Sequence, residues 1–422
     1  MTLELPDFNS FDSTVAALFS RVRGHIEPGA HRLLRLLPPE SLLTLYQIPS
    51  ILVSGTNGKG TTCALLEQCF RDSGYHTALY TSPHIVSPTE RIRLNGMPIA
   101  EELFLKTVRK IFDYAKSRLN DATFFELMTA IAFEIFTQIK PDILVCEVGL
   151  GGRLDSTNIL NPLVSILTSV GLDHTEWLGN TDEKIAYEKA FISRRNRPFI
   201  IAPVSKSAKI GIQKALCTTG ALPLWVECTQ EYQQALDEVV QLALSRVNIA
   251  GGPAVEPLKF ANSKRRFFWP GRFDLRSHQG IRILFDAAHN AHGVNYFIDL
   301  CYQPHNLERI PKPWILVFAS LSDKDWQQSL KALASHFGEI HCTQTMSPRA
   351  VNADELLNYV KSEEPNCVVL GHGACTDALA ASIESSKSHK GTLFILGSIT
   401  LIGEAMEILS IPVFPDIDQV KQ

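Results

Sequence analysis

The sequence predicts an α/β protein with a mostly parallel, doubly wound sheet in an N-terminal P-loop-type ATPase domain and a smaller, Rossmann-like α/β domain after it. Apolar runs that are typical of buried parallel strands alternate with amphipathic helical segments from Ile51 onward. A glycine-rich loop, residues 55–61, directly follows the first run. The alternation breaks at residues 204–270 and then resumes, which places the domain boundary between Trp269 and Pro270. The predicted domains are therefore 1–269 and 270–422.

Each element of the first domain is predicted from its own pattern. The segment DILVCEV is one continuous apolar run, and such runs indicate strands that are covered on both faces. The predicted strands of this domain are 51–53, 76–82, 142–148, 163–170 and 198–203. Apolar residues repeat with helical spacing between them, which predicts helices at 62–70, 101–116, 124–138 and 231–247.

The second domain shows the same alternation over a shorter length. Its predicted strands are 281–285, 314–320, 339–345, 367–371 and 392–397. Its predicted helices are 291–301, 325–337, 353–362, 376–386 and 400–409. Strands that are each followed by a helix indicate a parallel sheet with helices on its faces.

Composition indicates a soluble globular protein. The chain has 422 residues, a net charge of -4 and 45% hydrophobic residues, so we expect neither a nucleic-acid nor a membrane partner. The N-terminus lacks the layout of a signal peptide, and no apolar run reaches the roughly 18 residues that span a bilayer. The nine cysteines form no C-x-x-C pair, and several lie in apolar runs, which predicts buried, reduced thiols. We expect a cytoplasmic protein, with the monomer as the default state.

The glycine-rich loop has the composition of a triphosphate cradle. Backbone N–H groups at the start of the following helix would point at phosphate oxygens, and glycines let the backbone come close. Lys59 is expected on the β- and γ-phosphates, and Thr61 or Thr62 near a Mg²⁺ ion. The loop departs from G-x-x-x-x-G-K-[ST], because Val53 stands at the first glycine position and Gly60 separates the lysine from the threonine. The predicted ATP-binding residues of this loop are Gly55, Thr56, Asn57, Gly58, Lys59, Gly60, Thr61 and Thr62.

Polar residues stand at the carboxyl ends of three predicted strands, where an open α/β sheet binds its ligands. Glu147 lies at the end of the strand 142–148, and a carboxylate there is the usual Mg²⁺ ligand of a nucleotide site. Ser82 and His174 lie at the ends of two other strands. The alternative is that the glutamate caps a neighbouring element and the histidine is structural. Because the phosphate loop lies in the same domain, we predict a metal site at these three residues.

The stretch Thr123-Phe124-Phe125-Glu126 has two interpretations. T-x-x-E is a capping box at the start of the helix 124–138, and the cap alone explains both polar residues. Two exposed phenylalanines at a helix start would equally stack on a flat heterocycle. The residues alone leave both interpretations open.

The second domain has polar residues that we expect at one edge of its sheet. Asp286 and His289 follow its first strand, Arg272 precedes it, and residues 323–325 follow its second strand. Closure of this domain over a nucleotide would exclude water and complete the site.

Together these residues resemble the Mur ligase superfamily and, within it, the bacterial dihydrofolate synthase/folylpolyglutamate synthase family. The resemblance runs from about Ile51 to Leu409 and is weak at 204–266. No single motif is decisive, but their order and spacing are specific. The motifs are SGTNGKGTT (54–62), YTSPH with ERIR (80–93), FFE (124–126), EVGLGGRLDSTN (147–158), LDHTEWLG (172–179), EKA (188–190), PGRF (270–273), DAAHNAHG (286–293) and SDKD (322–325).

The resemblance implies two Mg²⁺ ions, which would be held by Ser82, Glu147 and His174. It also implies a carbamylated lysine at Lys189, whose carbamate would help to bind the second ion. Without the resemblance, Lys189 indicates only a solvated helix face with charged neighbours.

The resemblance further implies ATP contacts from Arg272 and Asp286, with His289 close by. The implied catalytic residues are Lys59, Lys189 and His289. The implied pteridine-binding residues are Thr123, Phe124, Phe125, Glu126, Leu154, Asp155 and Ser156.

The implied reaction is ATP-dependent amide formation with L-glutamate. An acid carboxylate attacks the γ-phosphate, an acyl phosphate and ADP form, and the glutamate amine then displaces phosphate. The implied acids are 7,8-dihydropteroate, which gives dihydrofolate, and reduced folates, and we predict that the enzyme uses both. A monofunctional enzyme and a non-catalytic nucleotide-binding homologue stay open. A cell-wall precursor ligase is disfavoured, because its N-terminal UDP-binding domain of about 100 residues has no room before Gly55.

Three departures from the family pattern concern the nucleotide. The stretch Thr229 to Gln234 lacks the family's ATP-contacting asparagine, Ala291 replaces the proline of DxAHNP, and the segment 204–266 is shorter. The missing asparagine motivates the non-catalytic alternative. The phosphate and metal residues are retained.

Overall fold

The computed structural model describes residues 10–20, 29–119, 121–227, 232–364 and 367–415. The chain divides into two compact units, Met1–Phe267 and Phe268–Gln422, each with its own sheet. The assignment of ATP and pterin binding to residues 1–269, and of glutamate ligation to residues 270–422, stays a prediction.

An eight-stranded sheet forms the centre of the first unit. Its strands are β1 (Ser50–Ser54), β2 (Thr77–Tyr80), β3 (Ile92–Leu94), β4 (Met97–Pro98), β5 (Ile143–Glu147), β6 (Val164–Leu167), β7 (Pro198–Ile201) and β8 (Leu222–Trp225). They are ordered β4-β3-β2-β5-β1-β6-β7-β8. All neighbours from β2 to β8 pair in parallel, whereas β3 pairs antiparallel with both β2 and β4. The prediction of a mostly parallel α/β sheet is confirmed.

Helices surround this sheet. They are α1 (Phe11–Phe19), α2 (His31–Leu36), α3 (Pro39–Gln47), α4 (Lys59–Asp72), α5 (Glu101–Ala115), α6 (Phe124–Ile139), α7 (Thr175–Leu178), α8 (Asp182–Ala190), α9 (Lys206–Thr219), α10 (Tyr232–Ile249) and α11 (Pro257–Arg265). Short 3₁₀ helices cover Pro88–Arg91, Lys116–Leu119 and Ser156–Ile159. Helix α6 is buried along most of its length, and it packs against α2, α3 and α5.

Two predictions for this unit were wrong, and the short strands β3 and β4 were not predicted. The alternation does not stop at residue 204, because α9 leads into β8, which pairs in parallel with β7. The apolar pattern did not predict strand β8, because it is a half-exposed edge strand that contains Pro223. Helix α4 begins at Lys59 rather than Thr62, because Gly58 adopts a left-handed conformation with φ 81° and caps the helix there.

The second unit has a six-stranded sheet. Its strands are β9 (Asp274–His278), β10 (Ile281–Asp286), β11 (Trp314–Phe318), β12 (Glu339–Cys342), β13 (Val368–Gly371) and β14 (Thr392–Leu396), ordered β13-β12-β11-β14-β10-β9. Its helices are α12 (Ala291–Cys301), α13 (Pro304–Leu307), α14 (Trp326–Ala334), α15 (Ala353–Glu363), α16 (Cys375–His389) and α17 (Ile399–Ile408). All neighbours are parallel except β9 with β10. Strand β9 was not predicted, because its sequence DLRSH is mostly polar.

Among the described helices, none is both long and apolar enough to cross a membrane. Eight cysteines are free thiols, and six of these are buried. Burial is confirmed for Cys146, whereas Cys367, which also lies in an apolar run, is only half-buried. The ninth, Cys228, lies outside the described residues.

Candidate active site

The phosphate loop leaves β1 at Gly55, where no side chain fits. A Cβ atom added there would lie 2.0 Å from the Thr168 Oγ1 atom and 3.1 Å from the Ser169 nitrogen. The loop is also hydrogen-bonded to the chain that follows β6. The Thr56 N–H donates to the Ser169 carbonyl at 3.0 Å, and the Asn57 N–H donates to the Ser169 hydroxyl at 2.8 Å. The neighbouring strand end therefore fixes the shape of the loop before any phosphate binds.

Two lysines share one backbone carbonyl of this loop. Lys59 Nζ donates to the Gly55 carbonyl at 2.9 Å and to the Thr56 carbonyl at 3.1 Å, and Lys189 Nζ donates to the Gly55 carbonyl at 2.9 Å. Lys189 is buried in the last turn of α8. Burial, together with the nearby positive charge of Lys59, lowers the pKa of the Lys189 amine to about 7. A solvated helix face is therefore excluded for Lys189.

Close packing of a glycine loop against the end of α8 holds Lys189 in place. A Cβ atom on Gly152 would lie 2.8 Å from the carbonyl oxygens of both Glu188 and Lys189. The neighbouring Arg153 N–H donates to the Glu188 carbonyl at 2.9 Å. The Arg153 guanidinium also forms a two-pronged ion pair with the Glu188 carboxylate, at 3.0 Å and 2.9 Å. The position of Lys189 thus depends on the loop that follows β5.

We expect Gly152→Ala to lower the free energy of unfolding by about 1–3 kcal/mol, because backbone carbonyls cannot move away as a flexible side chain could. Denaturant unfolding of the purified variant measures this change. Gly171→Ala is the matched control, since its added Cβ would meet no atom closer than 4.0 Å. Equal stability of the two variants would contradict the close packing at Gly152.

The structure brings two predicted metal ligands together. Glu147 is buried at the end of β5, and its Oε2 atom accepts the Ser82 N–H at 3.0 Å. His174 is the left-handed N-cap residue of α7, with φ 50°. Its half-exposed imidazole lies 3.7 Å from the Asp173 carboxylate, measured from Nε2 to Oδ2. One carboxylate, a hydroxyl and an imidazole are a donor set that Mg²⁺ or Mn²⁺ accepts.

A second observation supports a divalent cation near the phosphate loop. The Thr62 hydroxyl at the start of α4 is buried, and it has no hydrogen-bond partner among the described residues. Such a group is expected to have a partner in the functional state. In the part of the chain that the structure describes, no three or more His, Cys, Asp and Glu side chains are placed to hold a metal. A site here therefore depends on hydroxyl oxygens and on substrate phosphates, as Mg²⁺ sites for nucleotides commonly do.

The first turn of α6 contains the predicted capping box. The Glu126 Oε2 atom accepts the Thr123 N–H at 2.8 Å and the Thr123 hydroxyl at 2.9 Å. The Thr123 Oγ1 atom accepts the Glu126 N–H at 3.3 Å. The capping interpretation is therefore confirmed, and a substrate role for these two residues stays a prediction.

The expectation that both phenylalanines of this turn are exposed was wrong for Phe124. Its ring is 7% exposed and stacks on Phe19, with centroids 4.5 Å apart and planes at 12°. The Arg91 guanidinium lies 5.1 Å from the centroid of the same ring. Phe125 is half-buried, and a Cβ atom on Gly149 would lie 2.3 Å from its ring. Helix α1 provides the residue that covers Phe124.

The loop after β5 contains the other predicted substrate residues. Leu154 is 39% exposed, whereas Asp155 and Ser156 are buried. The Asp155 carboxylate accepts the N–H of Leu150 at 2.8 Å and the N–H of Thr157 at 2.9 Å. Burial raises the pKa of Asp155, and these hydrogen bonds oppose the change. Asp155 therefore shapes its own loop, and contact with a substrate stays a prediction for all three residues.

In the second unit, Asp286 connects two loops. Its carboxylate accepts the Phe273 N–H at 2.7 Å and the Ala288 N–H at 2.8 Å. Arg272 precedes Phe273, which adopts a left-handed conformation with φ 43°. Burial raises the pKa of Asp286, and the charge of Arg272 opposes this. His289 lies beside these loops, with Nδ1 2.9 Å from the Ala287 carbonyl oxygen.

Two departures from the family pattern can be placed. Ala291 is the first residue of α12, after the N-cap Asn290. Proline is favoured at that position because its missing N–H is not needed there and its φ is pre-set for a helix, but the helix also begins with alanine here. Of the stretch that lacks the asparagine, residues 229–231 lie outside the described residues, and residues 232–234 begin α10.

Sequence reasoning missed several residues that shape the site. Ser169 and Thr168 hold the phosphate loop, and hydroxyl residues directly after a buried strand were the signal for them. His84 accepts a hydrogen bond from Arg91 at 2.8 Å, inside motifs that were noted only as markers. Burial, followed by the charge of Arg91, lowers the pKa of His84 to about 3, so this imidazole is neutral. Nothing in the sequence pattern indicated Arg32, which contacts Glu126.

A phosphate loop after the first strand of a parallel sheet, a lysine buried against that loop and a second α/β unit define a two-domain ligase of the Mur type. Residues 53–215 match the model of the Mur ligase middle domain, and residues 271–399 match that of the Mur ligase, glutamate ligase domain. The dihydrofolate synthase/folylpolyglutamate synthase of Escherichia coli strain K12 is 30% identical over 381 residues, which cover 85% of this chain and 86% of that protein. The chain belongs to the dihydrofolate synthase/folylpolyglutamate synthase family of the Mur ligases.

Solved structures agree with this assignment. The Escherichia coli FolC structure in complex with DHPP and ADP is 29% identical, with a TM-score of 0.82 over 96% of this chain and 99% of that chain. The Yersinia pestis bifunctional folylpolyglutamate synthase/dihydrofolate synthase complexed with AMPPNP and Mn ion is 26% identical, with a TM-score of 0.80 over 97% of this chain and 100% of that chain.

Proposed function

We propose that this chain is an ADP-forming ligase that joins L-glutamate to 7,8-dihydropteroate and to the γ-carboxyl groups of reduced folates. The proposal rests on a phosphate loop in which Lys59 and Lys189 meet at the Gly55 carbonyl, in a chain of this family. The relative that was solved with DHPP and ADP supports both the acid and the nucleotide.

The reaction has two steps. The carboxylate oxygen of the acid attacks the γ-phosphorus, the bond from this phosphorus to the β,γ-bridging oxygen breaks, and ADP leaves. The glutamate nitrogen then attacks the acyl carbon of the acyl phosphate, inorganic phosphate leaves, and the nitrogen loses a proton. When ATP binds, Lys59 moves from the loop carbonyls to the phosphates. There its charge and the N–H groups at the start of α4 stabilise the phosphoryl group that is transferred.

Ser82, Glu147 and His174 are the proposed holders of two Mg²⁺ ions, with the Thr62 hydroxyl beside the phosphates. When bound, Mg²⁺ neutralises phosphate charge and orients the phosphate oxygens. Lys189 is proposed to capture CO₂. Its neutral nitrogen attacks the carbon of CO₂ and loses a proton, which leaves an anionic carbamate. A pKa of about 7 supplies the neutral amine that this step requires.

In the second unit, Arg272 and Asp286 are proposed ATP contacts and His289 a catalytic residue near them. The paired hydrogen bonds of Asp286 fix the loop that presents Arg272, which supports this proposal. We also propose that the protein works as a monomer in the cytoplasm. The free cysteines of the described residues support a reducing compartment.

The test is coupled ADP release with 7,8-dihydropteroate, and separately with tetrahydrofolate, each with L-glutamate and Mg²⁺-ATP. We expect turnover with both acids and no ADP when glutamate is left out. Turnover with one acid alone would reduce the proposal to a monofunctional enzyme. If neither acid gives ADP release in protein that still binds ATP, the ligase proposal is wrong and the chain is a non-catalytic nucleotide-binding homologue.

A further inference from the structure

The first turn of α6 is held by the helices at the N-terminal end of the described chain. Phe19, the last residue of α1, stacks on Phe124 at 4.5 Å. Arg32, near the start of α2, donates from Nε to the Glu126 Oε1 atom at 2.8 Å. Two side chains of α6 that are two residues apart are thus contacted from two different helices.

The contact between Arg32 and Glu126 is buried. The two side chains are 9% and 5% exposed. The Oε2 atom of Glu126 accepts the N–H and the hydroxyl of Thr123, so the two oxygens of this carboxylate bind different partners. One oxygen closes the capping box, and the other binds α2. If Arg32 is removed, Glu126 is left as a buried charge without its cation. We expect its carboxylate to move towards water, which would disrupt its hydrogen bonds in the capping box.

The same helix is held at a second place, beyond this turn. Glu134, two turns further along α6, accepts hydrogen bonds from Lys110 of α5 at 2.5 Å and from Ser41 of α3 at 2.8 Å. Its side chain is 1% exposed. Helix α6 therefore has two buried glutamates, and only Glu126 belongs to the turn that includes the predicted substrate residues.

We propose that Arg32 is a positioning residue for the acid substrate, which fixes the first turn of α6, and with it Phe124, through the carboxylate of Glu126. This inference rests on the proposed function, since it concerns the acid that the ligase activates. Arg32 acts through Glu126 and is not a catalytic residue. Misplacement of a substrate wall by about 1 Å is enough to cost up to 100-fold in rate.

The test uses the full chain in three variants. Arg32→Lys keeps the charge but loses the flat guanidinium. Arg32→Met leaves Glu126 unpaired. The double variant Arg32→Met with Glu126→Gln removes both charges, and it keeps the cap because glutamine also serves at this position of a capping box. The double variant is therefore expected to fold even where Arg32→Met does not.

We expect the KM for 7,8-dihydropteroate to rise about tenfold or more in Arg32→Met and in the double variant, with a smaller rise in Arg32→Lys. The KM for ATP should stay within about twofold, because the contact of Arg32 with Glu126 lies in α6, outside the phosphate loop. Lys110→Met is the comparison variant, since it also removes a cation, here from a half-exposed side chain, beside a buried glutamate of α6. It should lower stability without changing the KM for the acid.

Hydrogen exchange provides a readout that needs no turnover. Backbone amides of residues 123–127 should exchange faster in Arg32→Met than in Lys110→Met. If the wild-type protein turns over and the double variant shows an unchanged KM for the acid, the positioning role is wrong and the proposed ligase stands. If the wild-type protein is silent with both acids, the proposed function fails. Unchanged exchange at residues 123–127 in Arg32→Met would then overturn the structural link as well.

Discussion

Lys59→Met is expected to lower kcat for ADP formation by about 10²–10³-fold, which is the loss seen when one preorganised stabilising group is removed from a transition state. In the structure the Lys59 ammonium donates to the backbone carbonyls of Gly55 and Thr56, so its move to the phosphates breaks hydrogen bonds to uncharged acceptors. The measurement is steady-state ADP release with saturating acid, glutamate and Mg²⁺-ATP.

The lysine variant needs a control for the loss of a positive charge. Lys206, exposed at the start of α9, offers one, and Lys206→Met should keep the wild-type kcat. Thermal unfolding of both variants shows whether the loop still folds, because Lys59 also contributes two hydrogen bonds to it. A folded Lys59→Met protein with wild-type kcat would rule out a role for this lysine in phosphoryl transfer.

Lys189→Met is expected to lower kcat at least about 100-fold, because the variant cannot form the proposed carbamate. Lys184→Met, on the exposed side of the same helix, should be close to wild type. With ¹³CO₂, the wild-type protein should show a carbamate carbon signal that is missing in Lys189→Met. If wild type and variant give the same ¹³C spectrum, Lys189 does not capture CO₂.

The same lysine predicts a dependence of stability on pH. The pKa of Lys189 falls from 10.5 to about 7 on folding, so the unfolded chain binds more protons between these two values. In CO₂-free buffer, the free energy of unfolding of the wild-type protein should therefore gain a rising contribution as the pH increases from 7 towards 10.5. Lys189→Met lacks this contribution. Parallel curves for the two proteins would contradict the buried, neutral amine.

The sequence predicted the sheets well, because buried parallel strands are continuous apolar runs that need no knowledge of their partners. It failed at β8 and β9, where edge position makes the strand polar or half-exposed, and at β3 and β4, which are only three and two residues long. The start of α4 also required the backbone conformation of Gly58, which composition alone does not give.

The site residues could likewise be predicted only where the local sequence pattern was informative. Residues at strand ends, such as Glu147, could be assigned from position in the pattern. Arg32 and Phe19 could not, because their partners in α6 are about 100 residues away and only folding brings them together. The burial of Lys189 was hidden for a related reason. Its helix has charged residues around it in sequence, and the loop that covers it comes from the end of β5.

The hydrogen bonds that hold the site to main-chain carbonyls have a consequence for sequence divergence within the family. Lys189 and Lys59 bind the carbonyl of Gly55, the N–H of Thr56 binds the carbonyl of Ser169, and the N–H of Arg153 binds the carbonyl of Glu188. Each of these acceptors belongs to the main chain, so no codon change at the acceptor position removes it. A chain that keeps 30% identity with its Escherichia coli relative can therefore exchange many side chains around this frame while the lysines keep their anchor. Side-chain substitution is not tolerated at Gly55 and Gly152, because an added Cβ atom there would clash with neighbouring chain segments.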